Sequence, residues 1–397
     1  MHTRRALLQS LAFAGLVPRA FADDRTIGSA AEALDVFDLE AAARGNVPPA
    51  HWGYLQTGVD GDVTLRANQS AFSRYDIRPR RFVDVSQVSL ATEVLGTKLA
   101  SPIFCCPIGG LGSLHPDGDV AVARAAQTKG ALLILSTVAS RSVEDVTAAR
   151  GAPVWFQLYT SSQFEITKEI VKRAEAAGCP VVAVTVDLPA GRNLATYLRM
   201  RREDKRTCSG CHTPVDEHGY PTAGANTKPM FAGIDTQGAT LQSSSLSWDF
   251  IKRLKDVTTM KVVIKGIETR EDAVLAVKNG ADGIIVSNHG GRTTESGRGA
   301  IECLPEIVAG VAKRIPVLFD SGVRRGTDAF KALALGANAV GIGRPYAWGL
   351  AAFGQSGVER VLDVLNTELR LAMVGAGARS VREISKESLI ERGAAYR

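Results

Sequence analysis

The stretch SNHGGR, residues 287–292, places a histidine and an arginine three residues apart, on either side of two glycines. His289 suits proton transfer near neutral pH, and a carboxylate such as Asp187 could orient it and stabilise its protonated form. Arg292 suits a carboxylate, which it can bind through two N–H bonds. The glycines indicate close approach by a ligand. These residues predict acid–base chemistry on a substrate that carries a carboxylate.

Two glycine-rich turns, DSGVRRG (320–326) and GIGRP (341–345), each follow an apolar segment near the end of the chain. Glycines let backbone N–H groups approach an anion, and Arg324 and Arg344 can supply forked donors to its oxygens. The last two strands of an α/β barrel commonly hold phosphate in such turns. The two turns predict a phosphorylated cofactor or substrate.

Eight short apolar runs that begin near residue 101 would position these groups. The runs are rich in β-branched residues and bounded by Gly or Pro, and helical patterns separate most of them. Uninterrupted apolar strands are typical of a parallel sheet covered on both faces. Eight such units over about 250 residues favour a barrel over an open doubly wound sheet. We predict an α/β fold, a (β/α)8 TIM barrel with an N-terminal helical extension and a long loop between strands 4 and 5.

Polar residues follow the carboxyl end of nearly every predicted strand. They are Ser136, Thr137, Gln157, Tyr159, Thr185, Asp187, Lys265, Ser287, His289, Arg292, Asp320, Arg324 and Arg344. Any one of them could simply satisfy backbone groups, but burying so many without a ligand would cost about 1–3 kcal/mol for each unpaired group. Since barrels place their sites at this end, the set predicts one binding site there.

The first 22 residues have the pattern of a twin-arginine export signal. Arg4 and Arg5 precede an apolar stretch at 6–17, and an Ala-Phe-Ala cleavage pattern ends at Ala22. The apolar stretch is too short to span a bilayer core of about 30 Å, so no membrane span is expected after its removal. We expect a periplasmic protein exported already folded. The alternative is an amphipathic helix retained in the cytoplasm.

The remaining chain divides into an extension at 23–96, expected to pack on the barrel, and the barrel itself at 97–397. Residues 190–245 form an inserted loop within the barrel. The formal net charge of +6 is spread thinly, and the densest basic run is interleaved with acids. We therefore expect no nucleic-acid partner.

The inserted loop contains a Cys-x-x-Cys-His run made of Cys208, Cys211 and His212. This spacing is that of covalent haem c attachment, with His212 as one axial ligand and Met230 as a candidate for the other. A disulfide or redox pair is permitted in an oxidising compartment, and the run could also have no special role. A zinc site would need two further ligands; His212 and His218 are near, but a second Cys-x-x-Cys is missing, so no metal is predicted. The remaining cysteines are interpreted as small core residues: Cys105, Cys106, Cys179 and Cys303.

From about Tyr54 to Ile390 the chain resembles the FMN-dependent 2-hydroxy-acid oxidase and dehydrogenase family. That family includes glycolate oxidase, lactate oxidase, mandelate dehydrogenase and the flavocytochrome lactate dehydrogenases. The resemblance rests on GVDGDVTLRANQSAFSRYDIRPR, FQLY, VTVDLP, IKGI, VSNHGGR, GVRRGTDAFKALALGA and IGRP, in that order along the chain. It implies a homo-oligomer, by family a tetramer.

By this resemblance His289 would take the substrate proton, with Asp187 hydrogen-bonded behind it. Arg292 would bind the substrate carboxylate, and Tyr54 and Tyr159 would contact the carboxylate or hydroxyl. Lys265 would lie near N1 and O2 of the flavin and stabilise negative charge on its reduced ring. Contacts to the flavin ring and ribityl chain are implied for Pro107, Ile108, Gly109, Ser136, Gln157, Thr185 and Ser287. Contacts to the phosphate are implied for Asp320, Ser321, Gly322, Val323, Arg324, Gly343 and Arg344.

The sequence departs from the family pattern at two places. After the fourth strand a second substrate-binding arginine is usual, but the run here is GRNLATY. Arg192 is a shifted candidate and Asn193 occupies the usual position. Val138 stands where some members have tryptophan, which leaves room for a substrate side chain larger than hydrogen.

These features predict oxidation of an (S)-2-hydroxy acid, lactate-like, to the 2-oxo acid. The electron acceptor would be a periplasmic cytochrome, a quinone-side carrier or oxygen, since the dinucleotide fingerprint for NAD is missing from the sequence. A phosphate-binding barrel isomerase is one alternative. A redox carrier that acts through the Cys-x-x-Cys-His loop is another.

Overall fold

The computed structural model describes residues 26–189, 191–206, 228–241 and 244–393. Within these ranges, eight parallel strands form one sheet in which the first strand pairs with the eighth. A bridge between Cys105 and Leu133 joins the first strand to the segment of the second and closes the barrel. The barrel strands are Ile103–Cys105, Ile134–Ser136, Trp155–Leu158, Val181–Thr185, Lys261–Ile267, Gly283–Val286, Val317–Phe319 and Ala339–Ile342. Each lies in one of the eight predicted runs, which confirms the (β/α)8 fold.

Helices cover the outside of the barrel and connect successive strands. They are Gly118–Lys129, Val143–Arg150, Phe164–Ala176, Asp249–Lys255, Arg270–Lys278, Ala300–Val311, Gly326–Ala334 and Arg344–Ala376. Nearly every strand residue is buried, because helices pack on the outer face and side chains fill the interior. The last helix changes direction at Phe353 and Gly354, whose backbone angles are not helical.

The N-terminal extension reaches both ends of the barrel. Its helices Val36–Asn46, Pro49–Gln56 and Val63–Ser70 precede a strand, Tyr75–Ile77, that pairs antiparallel with Leu389–Glu391. A hairpin of Thr92–Val94 and Thr97–Leu99 follows.

That hairpin fills the amino end of the barrel. Val94 and Leu99 join the interior cluster that contains Phe104 and Trp155. The indole Nε1 of Trp155 donates to Thr97 Oγ1 at 2.9 Å. Because this end is filled, the carboxyl end of the strands is left for the site.

The inserted loop between the fourth and fifth strands includes a helix, Ala195–Glu203, and a short 3-10 turn, Pro229–Phe231. Met230 is fully buried in the main hydrophobic core. Its side chain therefore packs among apolar side chains, and its role as a haem ligand stays a prediction. Cys208, Cys211 and His212 lie outside the described residues.

The signal at residues 1–22 also lies outside the described residues. Of the helices that the structure describes, none combines the length and apolar character needed to cross a bilayer.

Candidate active site

His289 lies at the carboxyl end of the sixth strand and forms a short chain of polar groups. Its Nδ1 lies 3.0 Å from Asp187 Oδ1, and its Nε2 lies 3.3 Å from the Tyr159 hydroxyl. The carboxylate can only accept, so Nδ1 carries the proton and donates to it. Nε2 is thereby left as the nitrogen that can accept a proton. The structure brings together the three residues that the sequence placed on different strands.

Burial sets the protonation of this pair. Burial lowers the pKa of His289, and the nearby Lys265 ammonium adds to this, while Asp187 opposes it. Burial also disfavours charge on Asp187, but the His289 ring and its hydrogen bond outweigh that effect, so the pKa of Asp187 is lowered. An ionised Asp187 beside a neutral His289 is the state expected at neutral pH. A neutral imidazole is the form that a general base requires.

The backbone after the sixth strand turns sharply at the histidine. His289, Gly290 and Gly291 have φ angles of 58°, 70° and 77°, a left-handed conformation that costs a non-glycine residue energy. A Cβ at Gly291 would lie 2.6 Å from the backbone of Leu65. The second glycine is therefore needed because a helix of the extension approaches here. The glycines predicted to mark close ligand approach serve, at this position, close approach of the chain itself.

Arg292 is held beneath Tyr54 with part of its guanidinium unused. Nη1 donates to the Tyr54 carbonyl, and the guanidinium carbon lies 4.6 Å from the centre of the Tyr54 ring. Nη2 is buried and has no hydrogen-bond partner within the described part of the chain. Burial and the Arg192 charge lower the pKa of Arg292 to about 10, so it remains charged near neutrality. A buried cation with a free donor fits an anionic substrate group.

Arg192 reaches the same space from its shifted position. Its Nη1 lies 3.4 Å from the Arg292 carbonyl, and its charge acts on Tyr159, Asp187 and His289. Asn193 is exposed, and its carbonyl accepts from the backbone of the extension at Asp60. The side chain of Arg192, and not of Asn193, is thus the one placed at the site.

Tyr54 is oriented by a hydrogen bond of its own. Its hydroxyl donates to the Gly109 carbonyl at 3.1 Å. The ring thus covers Arg292 while the hydroxyl is tied to the loop after the first strand. A Cβ added at Gly109 would lie 2.5 Å from Val138 Cγ2, so these two loops pack closely.

Lys265 forms a buried cluster near the centre of the barrel mouth. Its Nζ donates to Ser287 Oγ at 2.8 Å and pairs with Asp320 at 3.3 Å, and Ser287 donates to Asp320 at 2.6 Å. Burial opposes its charge, but the Asp320 and Asp187 carboxylates outweigh this and raise the pKa of Lys265. A positive charge is therefore fixed beside His289.

The ends of the second, third and fourth strands are linked through side chains. Gln157 Nε2 donates to Thr185 Oγ1 at 2.9 Å, and Thr137 Oγ1 donates to the Gln157 carbonyl at 2.6 Å. Ser136 Oγ accepts from the Val138 backbone at 3.2 Å. These groups are buried and keep further hydrogen-bonding capacity for a planar polar ligand.

At the seventh strand, Arg324 is buried over the Trp348 ring, with 4.8 Å between its guanidinium carbon and the ring centre. Its Nη1 donates to Val323, and its Nε has no partner in the described ranges. Burial lowers the pKa of Arg324 to about 10. Beside it, Ser321 and Gly322 have φ angles of 85° and 92°. An unused buried donor next to a tight turn fits a phosphate group.

Arg344 has a different role from the one expected of its side chain. Its guanidinium donates to the carbonyls of Leu55, Thr57 and Gly290. These bonds tie the extension helix Pro49–Gln56 to the barrel mouth. The forked donors predicted for phosphate are thus occupied by the protein, and a phosphate contact from this residue would have to come from its backbone at the start of a helix.

Sequence reasoning missed two contributors to the site. The buried side-chain amides of Asn68 and Asn288 each donate one hydrogen bond to the other, both at 2.8 Å. The pair anchors an extension helix to the sixth-strand loop. Tyr197, on the loop helix, lies near Tyr54 and Arg292. Asn68 lies inside a quoted motif, but nothing in its local pattern distinguishes a buried asparagine from an exposed one.

The groups at the barrel mouth fit FMN. Arg324 and the turn around Gly322 would receive the phosphate, the linked strand ends at Gln157 and Thr185 would meet the ring, and Lys265 would supply positive charge near it. Among the described residues, no group of three or more His, Cys, Asp or Glu side chains could hold a metal ion.

The family model for FMN-dependent dehydrogenases matches residues 43–391. An L-lactate oxidase from Lysinibacillus sphaericus (strain C3-41) is 40% identical over 365 residues, covering 89% of this chain and 92% of that protein. Glycolate oxidase from Spinacia oleracea is 39% identical, covering 90% and 96% of the two chains.

Two solved structures agree with this assignment. A mandelate oxidase variant with (S)-mandelic acid aligns with a TM-score of 0.78 at 34% identity, covering 92% of this chain and 100% of that one. A variant of an active chimera of (S)-mandelate dehydrogenase aligns with a TM-score of 0.80 at 31% identity, covering 90% and 99%. With its barrel, its partly buried His289–Asp187 pair and this match over nearly its whole length, the chain belongs to the FMN-dependent dehydrogenase family and carries out FMN-dependent oxidation of 2-hydroxy acids.

Proposed function

We propose that the chain oxidises a lactate-like (S)-2-hydroxy acid to the 2-oxo acid with His289 as the base. The observation that carries this proposal is that His289 Nε2 is the unprotonated ring nitrogen and that Nη2 of Arg292, three residues on in the same loop, has no partner among the described residues. A substrate carboxylate on Arg292 and Arg192 would bring its hydroxyl towards His289. These are the two groups that a 2-hydroxy acid presents on adjacent carbons.

Each protein group then has one task. Bound FMN supplies the acceptor for the two electrons that leave the substrate. His289 Nε2 takes up the substrate proton, and Asp187 stabilises the resulting imidazolium through Nδ1. Tyr159 orients the ring through its hydroxyl, and the Lys265 charge favours negative charge that develops at the barrel mouth.

The substrate side chain is proposed to be larger than hydrogen. Val138 replaces a tryptophan found in some relatives, and Gly109 beside it has no side chain. Gly109 packs against Val138, and its carbonyl accepts from the Tyr54 hydroxyl, so the small side chain at position 138 is the one that leaves room on this side of the pocket. Lactate, or an acid with a larger apolar side chain, fits this space better than glycolate does.

The deciding experiment is a turnover assay of the yellow holoenzyme on lactate, glycolate and mandelate, with hydrogen peroxide and an artificial dye measured in parallel. We expect bleaching of the flavin by lactate or mandelate and weaker reaction with glycolate. A protein that takes up no FMN, or one that no 2-hydroxy acid bleaches, would refute the function. Dye reduction without peroxide would support a cytochrome or quinone-side acceptor over oxygen.

We also propose export to the periplasm, on the basis of Arg4, Arg5 and the cleavage pattern that ends at Ala22. A double Arg4→Lys, Arg5→Lys variant should remain in the cytoplasm, as cell fractionation would show. Equal amounts of the unmodified chain and of the double variant in the periplasmic fraction would contradict the proposal.

We propose that the Cys208-x-x-Cys211-His212 run binds a covalent haem that accepts electrons from the reduced flavin. Its spacing and the proposed compartment support covalent haem, with Met230 as the candidate for the second axial ligand. Expression with haem-maturation machinery, followed by a haem-stained denaturing gel, tests this. An unstained band would leave a disulfide pair or no chemical role.

A further inference from the structure

The helix Ala195–Glu203, called here the cover helix, is anchored over the barrel mouth at both ends. Thr196 Oγ1 donates to Asp62 Oδ2 at 2.7 Å near its start. Just past its end, Asp204 accepts from the Ala50 backbone at 3.3 Å. Both anchors are on the N-terminal extension. The cover helix therefore has a defined position relative to the extension residues that line the site.

Its middle is positioned by close packing against Gly53. A Cβ at Gly53 would lie 2.9 Å from Met200 Cβ and 3.3 Å from Tyr197 Cα. No side chain larger than hydrogen fits between the two helices at this point. Tyr54, the next residue, covers Arg292. The packing places the backbone of Tyr197 against the residue that precedes Tyr54, and Tyr197 lies close enough to Tyr54 and Arg292 to interact with both.

Three tyrosines lie close to Arg292: Tyr54, Tyr159 and Tyr197. The Tyr54 hydroxyl donates to Gly109, and the Tyr159 hydroxyl bonds His289. The Tyr197 hydroxyl, in contrast, makes no hydrogen bond to any described residue. Burial raises the pKa of Tyr197, with Arg201, Tyr54 and Arg292 as the charged or ionisable groups that face it. It is therefore a neutral phenol with an unused donor near an arginine with an unused donor.

We propose that Tyr197 is a substrate-contacting specificity residue whose hydroxyl donates to the carboxylate held by Arg292. This assignment rests on the proposed function, since it requires a 2-hydroxy acid in this pocket. In the fourth-strand loop an asparagine occupies the position where relatives have a second arginine, and Arg192 enters from one residue earlier. Tyr197 supplies a further donor to the same group from the cover helix.

The test compares Tyr197→Phe, which removes only the hydroxyl, with Met200→Leu, which changes the same helix face without touching a donor. For each holoenzyme, the Kd of the 2-oxo acid is measured from the change in flavin absorbance. KM and kcat are measured for the 2-hydroxy acid. We expect Tyr197→Phe to raise Kd and KM about tenfold, since hydrogen bonds to charged groups are worth about that much. The kcat should fall by less than about threefold, and Met200→Leu should behave like the unmodified chain.

The uncharged amide of the same 2-hydroxy acid provides the second comparison. Its binding should weaken far less in Tyr197→Phe, because the lost hydrogen bond was to a carboxylate. An unchanged Kd for the acid, or equal weakening for acid and amide, would overturn the assignment while leaving the proposed function intact. If the unmodified holoenzyme binds no 2-hydroxy or 2-oxo acid, the proposed function fails and this assignment fails with it.

Discussion

At the scale of single residues, burial decides which groups can exchange protons. We expect His289 to be neutral and Asp187 ionised near neutral pH, because burial and the Lys265 charge lower the pKa of His289 and the pKa of Asp187 is lowered as well. The proton acquired in turnover is tolerated because Asp187 already lies 3.0 Å from Nδ1. The free site therefore keeps the His289 imidazole neutral, the form that can accept the substrate proton.

Replacing His289 with alanine should lower kcat by about 10²- to 10⁴-fold, the usual contribution of a positioned base. FMN content should be unchanged, because His289 is not among the groups expected to bind the cofactor. Steady-state kinetics with flavin quantification provides the measurement. A variant that keeps full turnover would remove His289 from this role.

The pH dependence of kcat/KM is expected to follow the pKa of His289. The free-enzyme pKa of His289 is lowered, so the base is neutral above that pKa and protonated below it. We expect kcat/KM to be flat near neutral pH and to fall as pH drops below a value under 6.5, the ordinary histidine value. A decrease that begins above 6.5 would contradict the burial argument.

The positive charge of Lys265 is expected to stabilise the reduced flavin without any proton transfer. Lys265→Met should make the midpoint potential of bound FMN more negative, since one nearby charge stabilises an anion by about 1–4 kcal/mol. Lys261→Met, at the exposed opposite end of the same strand, is the matched control. Potentials measured by spectroelectrochemistry should differ between the two variants, and equal potentials would rule out this role.

At the scale of elements, the extension helices complete a site whose chemistry belongs to the barrel. Arg344 binds the carbonyls of Leu55 and Thr57, and Asn68 bonds Asn288 in the sixth-strand loop. Gly322 is required here as well, since a Cβ on it would lie 2.1 Å from the Asn68 carbonyl. The extension is thereby fixed against the loops that carry His289 and Arg324.

Asn68→Ala should lower the free energy of unfolding markedly. The substitution leaves the Asn288 side chain and the Ala300 N–H without their partner, at about 1–3 kcal/mol for each buried group. Chemical denaturation provides the measurement, with Gln69→Ala, exposed on the same helix, as control. Equal stability of the two variants would show that the amide pair contributes little.

At the scale of the whole molecule, the cofactor is expected to stabilise the fold. A ligand that binds only the native state adds about 2.7 kcal/mol at a concentration one hundred times its Kd. FMN should raise the Tm of the apoprotein more than riboflavin does, because riboflavin lacks the phosphate that Arg324 would hold. Arg324→Met should reduce the effect of FMN and leave that of riboflavin unchanged. Equal Tm shifts for both flavins would place the phosphate elsewhere.

Much of this organisation could be predicted from the sequence because its signals are local. Each barrel strand is a continuous apolar run, and each reactive residue lies near or just beyond the carboxyl end of such a run, so Asp187, Lys265 and His289 could be assigned to one rim. Tyr197 could not be found this way, because it lies in a polar loop segment with no period that indicates what it faces. Spacing alone makes Met230 a candidate haem ligand, and only the packing of the core shows that it is buried.

The barrel, its site-bearing end and the types of group available there can be predicted from strand hydrophobicity and chain order, because both are read locally along the chain. Which hydrogen-bond donors remain without a partner depends on how distant segments pack. Arg344 and Tyr54 bond protein carbonyls, whereas Arg292 and Arg324 keep buried N–H groups without partners in the described ranges. The physical reason is that hydrogen-bond satisfaction depends on contacts between residues hundreds of positions apart, which no local pattern encodes.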